Sequence, residues 1–433
     1  MRHVLCAVML LAPAIAMAAG GDHGGDAAGD DRSIILLLTL LGIIAAAYLM
    51  AHFVVDRLQK RFLFVSGAEY ILLGLLLGPQ TNVLSDLASL APVIAFLAGW
   101  IGILYGMELD FRRLIGSADH STRLAVIDTL VTGGGVTVAA WAGFTYGMAF
   151  DSREAWLAAG AMGCAAAAGS SSAVDLLIDR YRSAAGGILS LLRRTARLGD
   201  VIAILGFGVL ISIFHTGDTL TSQTPAVSDW ILFTVALGVV LGGLFAAFLA
   251  DDPSENSRFL ALVGIIAFAS GAAFFLRLSE LTVNLILGSV LINTRPGKQV
   301  YRTLMSTATP VALVLLVFAG VRFEPVDLVD GLFVSGGYIL ARVLFKFLGG
   351  WLASSGTSVR RDIARGMMAQ GHVAVAIALS FRLYYDGEAV DLAYAAILAS
   401  VILSELVAPR LLKGLLVDAG DVSQDVAFAL EVR

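Results

Sequence analysis

The chain of 433 residues is 58% hydrophobic and only 15% charged, with a mean hydropathy of +0.85 and a formal charge of −5. Soluble domains carry about 25% charged residues, so this composition excludes that class, together with disordered chains, fibrous repeats and disulfide scaffolds. The small net charge and the lack of any long basic run give no ground for nucleic acid as a partner. Apolar runs of about 20 residues recur from end to end, the pattern of a polytopic all-α membrane protein embedded in a lipid bilayer.

Residues 1–18 read as a signal peptide. Arg2 and His3 precede a mostly apolar stretch from Val4 to Ile15, interrupted by Pro13, and Ala16-Met17-Ala18 is a small-x-small cleavage pattern. A stretch of about 12 residues suits a signal sequence better than a full span; the alternative is an uncleaved extra helix. Cleavage removes Cys6 and leaves Cys164 alone, so no intrachain disulfide is available. The acidic, glycine-rich segment 19–33, with Asp22, Asp26, Asp30 and Asp31, then lies outside the membrane.

Thirteen apolar segments follow, at roughly 34–55, 62–78, 88–107, 124–150, 156–177, 186–214, 229–250, 258–276, 281–294, 303–321, 328–352, 366–384 and 390–412. They fill a transmembrane domain over 34–413 and leave 414–433 as a short cytoplasmic tail. The ninth is short for a ~30 Å core, so it is expected to be tilted or flanked by buried irregular chain. Lys and Arg fall twenty to five in favour of the loops after odd-numbered spans. That bias puts the N-terminus outside and the C-terminus in the cytoplasm, in a cell membrane of the bacterial inner-membrane kind. No gap between spans is long enough to build a second core, so any activity sits within the membrane.

An ionisable side chain at membrane depth costs roughly 2.5–3.5 kcal/mol on insertion scales and is by default a functional candidate. The candidates are Glu69, Asp128, Asp175, Asp200, Arg342, Lys346, His372 and Glu405. A sixth span starting near Ile188 puts Asp200 close to mid-membrane. A start at Leu198 leaves it at the cytoplasmic edge, paired with Arg197 three residues before it. Arg342 and Lys346 are four residues apart on one helix face and need anionic partners or a wet cavity, or else Lys346 snorkels to the inner surface.

Two spans carry polar breaks. In the fifth, Gly169-Ser170-Ser171-Ser172 lets a helix unwind, because hydroxyls satisfy freed backbone groups; the alternative is a tightly packed interface of small residues. In the twelfth, Gln370-Gly371-His372 forms a second break, where His372 either titrates near neutral pH or is a hydrogen-bonded packing residue. Spans 5 and 12 hold equivalent places in two six-span halves separated by span 7, which puts the halves in opposite orientation. Paired breaks of this kind point to a transport site in an inverted repeat.

These segments resemble the monovalent cation:proton antiporter superfamily, the sodium/hydrogen exchanger domain, and especially its Kef- and Nap-type branch. Gly74-Leu75-Leu76-Leu77-Gly78-Pro79 looks like the end of that family's second helix; Glu69 falls one residue before its acidic position, where Tyr70 stands, and is not carried over. Ser170-Ser171-Ser172-Ala173-Val174, Gly199-Asp200-Val201-Ile202-Ala203, Lys346-Phe347-Leu348-Gly349 and Gln370-Gly371 are similar to further family motifs in the same order. The resemblance implies a scaffold module, a mobile core with two broken helices crossing near the carboxylate, a homodimer, and no cofactor. It implies that Asp200 binds a monovalent cation (Na+ or K+) and a proton in turn, that Ser171 and Ser172 supply oxygens or hold the break open, and that Lys346 offsets charge at the crossing. Gly199 stands where many relatives have a second acidic or amide residue, which leaves Lys346 without its usual partner and favours one-for-one exchange. Asp128 and Asp175 are the substitute partners available for Arg342 or Lys346.

Two rivals are weighed against antiport by alternating access. A Kef-like gated potassium efflux pathway shares the fold but needs no counter-moving proton. An intramembrane aspartyl protease is suggested by Gly199-Asp200 and Tyr385-Asp386, but Arg197 stands where its Gly-x-Gly-Asp motif needs glycine, and the Tyr-Asp comes after that motif in an external loop.

Overall fold

The computed structural model describes residues 67–78, 90–111, 120–171, 174–175, 187–216, 225–248, 255–294 and 297–420. The expected signal peptide, the 19–33 segment and the first span lie outside the described residues. Those residues form thirteen α-helices: α1 (Ala68–Leu77), α2 (Ala91–Gly106), α3 (His120–Ala142), α4 (Ser152–Ala167), α5 (Gly187–Ile213), α6 (Val227–Phe248), α7 (Glu255–Phe275), α8 (Glu280–Ile292), α9 (Gly297–Met305), α10 (Ala308–Val321), α11 (Leu328–Ser354), α12 (His372–Tyr384) and α13 (Glu388–Ala419). A π turn, Gly143–Gly147, prolongs α3, and a 3₁₀ turn, Ile363–Met367, precedes α12.

Among the described residues, α3 with its π turn, α5, α6, α7, α11 and α13 are each long and apolar enough to cross a membrane unaided. The expected tenth span is bent, α9 meeting α10 at 51°. The fifth and twelfth spans are shorter as helices than their apolar runs. α4 stops at Ala167, ten residues before the expected end, because Ala168 turns extended (φ −60°, ψ 138°). α12 starts only at His372, six residues after the expected start, behind an extended Gly371.

The chain divides into two compact units. Among the described residues, unit 1 groups those within 70–111 and 207–323, and unit 2 groups 67–69 with those within 120–206 and 324–420. Unit 2 thus takes spans 4–6 and 11–13, the corresponding thirds of the two expected halves.

Unit 1 is held by close helix crossings. α2 and α8 meet along Gly102, Gly106 and Gly288, and a methyl added at Gly102 would overlap the Leu281 carbonyl oxygen. In lipid no hydrophobic drive pulls helices together, so backbone approach through small residues supplies the attraction. Gly102→Ala is therefore expected to destabilise by about 1–3 kcal/mol, read as a lower melting temperature in detergent. Gly134→Ala is the control: a methyl there meets nothing within 4 Å, so the better helix former costs nothing.

Unit 2 turns the soluble-protein pattern inside out. On α11 a buried stripe runs through Val334, Tyr338, Arg342, Lys346, Gly349 and Ala353, spaced three to four apart, while Leu332, Leu340, Leu344 and Phe347 are exposed. Its polar stripe faces protein and its apolar stripe faces outward, as a helix bathed in lipid requires. At the far end, Arg360 grips Asp362 with two hydrogen bonds of 2.9 and 3.0 Å and reaches the Asp418 carbonyl, while Arg365 pairs with the Asp418 carboxylate at 2.6 Å. The hydrogen bonds from Arg360 hold the Asp362 carboxyl below its ordinary range. A depressed carboxyl adds stability above the unfolded value, near pH 4, and loses it as pH falls further. Asp362→Asn is accordingly expected to flatten the drop in melting temperature between pH 5 and pH 3, a small effect for so accessible a pair.

Candidate functional site

The two interrupted spans of unit 2 meet backbone to backbone. The Gly371 amide donates to the Gly169 carbonyl at 3.0 Å. Glycine is needed for this approach: a methyl on Gly371 would stand 2.9 Å from Ser170 Oγ and 3.0 Å from its Cβ.

A helix that stops inside a membrane leaves its last carbonyls without partners. Here three consecutive ones are taken by long side chains. Gln370 Nε2 donates to Ala165 O at 2.8 Å, Arg342 Nε to Ala166 O at 3.3 Å, and Lys346 Nζ to Ala167 O at 3.3 Å. Arg342 also donates to Met368 O (2.9 Å) and Ala369 O (3.4 Å) on the other broken segment. Cations at helix C-termini are favourable because the helix dipole ends negative there. Gln370 is itself fixed: its Nε2 also donates to the Tyr338 hydroxyl, Ser400 Oγ donates to its Oε1, and its backbone N–H donates to Ser404 Oγ.

Asp200 lies beside this crossing, fully buried. α5 begins at Gly187, thirteen residues earlier, so the carboxylate stands in mid-helix and not at an edge. The Gly169 amide, freed by the break, donates to Asp200 Oδ1 at 2.8 Å. Ser170 and Ser171 are buried at the same break. A cleft with about 10 Å³ of water-accessible space is lined by Gly169, Ser170, Gly199, Asp128, Lys346 and Gly366, room for about one water molecule.

The second carboxylate of the region comes from α3. Lys346 Nζ pairs with Asp128 Oδ2 at 2.6 Å, both side chains 2% exposed, and Thr132 Oγ1 stands 3.4 Å from Asp128 Oδ1. Gly349, one turn beyond Lys346, admits α3 so closely that a methyl there would stand 2.9 Å from Asp128 Oδ1.

Residues 68–417 match the family model for the sodium/hydrogen exchanger transmembrane domain. The chain belongs to the sodium/hydrogen exchanger family. It is a multi-pass membrane protein of a cation:proton antiporter family. Its fold is similar to the structure of the sodium proton antiporter MjNhaP1 from Methanocaldococcus jannaschii at pH 8, with a TM-score of 0.57 and 17% identity over 86% of this chain and 97% of that one. No curated protein matches the sequence.

Several expectations for this exchanger need correction. Lys346 does not snorkel: it is buried and pairs with Asp128, one of the two substitute partners expected for it. Asp175 is no partner of Arg342 or Lys346; it pairs with Arg193 at 2.6 Å and Arg197 at 3.7 Å, a third exposed. Arg342 finds carbonyls and not a carboxylate. His372 is the first residue of α12, immediately after the break, and Ser172 lies outside the described residues. The clamp of Tyr338, Ser400 and Ser404 around Gln370 was invisible in sequence, because hydroxyls on apolar helices carry no signal until a partner faces them.

Proposed function

We propose that this exchanger swaps a monovalent cation, Na+ or K+, for protons by alternating access, with Asp200 carrying each in turn. The observation that carries the reading is the fully buried Asp200 carboxylate held by the amide of a helix break. Ionised carboxylates are costly in a low dielectric, so the group holds either a proton or a cation and seldom neither. Mutual exclusion on one carboxylate couples the two flows. Ser170 and Ser171 offer hydroxyl oxygens where the cation would shed water, and Arg342 and Lys346 keep the broken helix ends neutralised while it binds.

The charge bias of the loops supports an external N-terminus and a cytoplasmic C-terminus. Under that orientation the cleft lined by Leu192 and Gly366 supports access from the cytoplasmic side. A homodimer in a bacterial inner membrane is part of the same reading. The experiment is exchange in proteoliposomes: addition of Na+ or K+ is expected to dissipate a preset pH gradient. Cation flux that proceeds without proton movement would mark a gated potassium pathway instead.

A further inference from the structure

Threonine in a helix often turns its hydroxyl back to a carbonyl one turn earlier. Thr137 of α3 does so to Gly133 O at 2.8 Å, and Thr234 of α6 to Trp230 O at 2.9 Å. Thr129 of α3 does not. Its side chain is buried, 4% exposed, and its Oγ1 has no hydrogen-bond partner. Such groups are costly and rare in native proteins, and mark strain, chemistry or the position of a water or ion.

The hydroxyl is aimed at α5. A methyl built on Gly199 would stand 3.1 Å from Thr129 Oγ1, and outside its own helix it meets no other heavy atom within 4 Å. Gly199 immediately precedes Asp200 and lines the narrow cleft together with Asp128, Gly169, Ser170 and Thr195. The other polar groups that α3 and α5 bring to this cleft are engaged. Asp128 pairs with Lys346 at 2.6 Å, and Thr195 Oγ1 reaches the Ser121 carbonyl at 3.5 Å. Glycine at 199 thus leaves no side chain between the Thr129 hydroxyl and the turn of α5 that carries Asp200.

A cation entering a space for about one water gives up most of its hydration shell, and protein oxygens must replace it. Resting on the antiport reading, we propose that Thr129 Oγ1 is a further oxygen for the transported cation, presented from α3 across the gap at Gly199 to the ion held by Asp200. The hydroxyl is neutral, so it strengthens cation binding without adding a second charge to the site.

The test is thermal stabilisation of the full chain in detergent, titrated with Na+ and separately with K+ at constant pH and ionic strength. Thr129→Val keeps the shape and deletes only an unpartnered hydroxyl, so the cation-free melting temperature is expected to be unchanged or higher. The half-saturating cation concentration is expected to rise about fivefold or more. In proteoliposomes the same variant is expected to need more cation for half-maximal exchange while keeping its maximal rate. Thr129→Ser, which retains the oxygen, is expected to bind close to wild type. Wild-type affinity in Thr129→Val, or equal weakening in Thr129→Ser and Thr129→Val, would overturn this proposal alone. Wild-type protein unmoved by either cation, or stabilisation that survives Asp200→Asn, would overturn the antiport reading and this proposal with it.

Discussion

Asp200→Asn in proteoliposomes is expected to reduce cation-dependent dissipation of a pH gradient to the level of empty liposomes. Asparagine keeps a carbonyl oxygen at the position of Oδ1, so the Gly169 amide at 2.8 Å retains an acceptor. The break therefore survives, and the folding cost is expected within about 1 kcal/mol, seen as a nearly unchanged melting temperature. What disappears is the charge: a neutral amide takes up no proton at neutral pH, so it cannot exchange a proton for a cation. Loss of transport with retained stability identifies the carrier group; wild-type exchange in a well-folded variant would sink the reading. Asp200→Glu is a second test, since it keeps the charge but moves it by a methylene relative to the amide, and partial exchange is expected.

The Asp128–Lys346 pair gives the other large effect, on stability. Both side chains are 2% exposed and 2.6 Å apart. Removing one partner leaves a bare charge in a low dielectric, which costs about 3–5 kcal/mol. Lys346→Met is expected to fall in that range, and Asp128→Asn likewise. The double variant is expected to recover most of the loss, because two neutral groups replace the pair. The cycle of four proteins, read by unfolding in detergent, gives the coupling directly; additive single effects would show that the pair is not a pair. Lys346 also serves the Ala167 carbonyl at 3.3 Å, so recovery is expected to be incomplete.

Much of this exchanger was legible before any coordinates. The break at Gly169–Ser172 and the break at Gln370-Gly371 were readable because glycine and hydroxyl residues interrupt apolar runs that otherwise demand helix. Asp200 was readable because a carboxylate in such a run is expensive and rare. The ends of α4 and α12 were misplaced by ten and six residues for the same reason: hydropathy does not distinguish buried extended chain from helix, and Ala168 is as apolar in either.

Pairing was the part that sequence left open. Asp128 and Asp175 were equal candidates for Lys346, since each is an aspartate at the margin of an apolar segment. Gly349 decides between them, by letting α3 come against α11 where a side chain would block it. Asp175 meets Arg193 and Arg197 instead.

Composition and hydropathy by themselves determined that this chain of 433 residues with only 15% charge lives in a membrane as a bundle of helices. They determined this because burying backbone in lipid leaves a helical chain no other choice. Which of the few intramembrane charges bear on each other was decided only by the tertiary structure. Coulomb and hydrogen-bond energies depend on separations of a few ångströms between residues up to about two hundred positions apart, as with Asp128 and Lys346, and no local pattern encodes those distances.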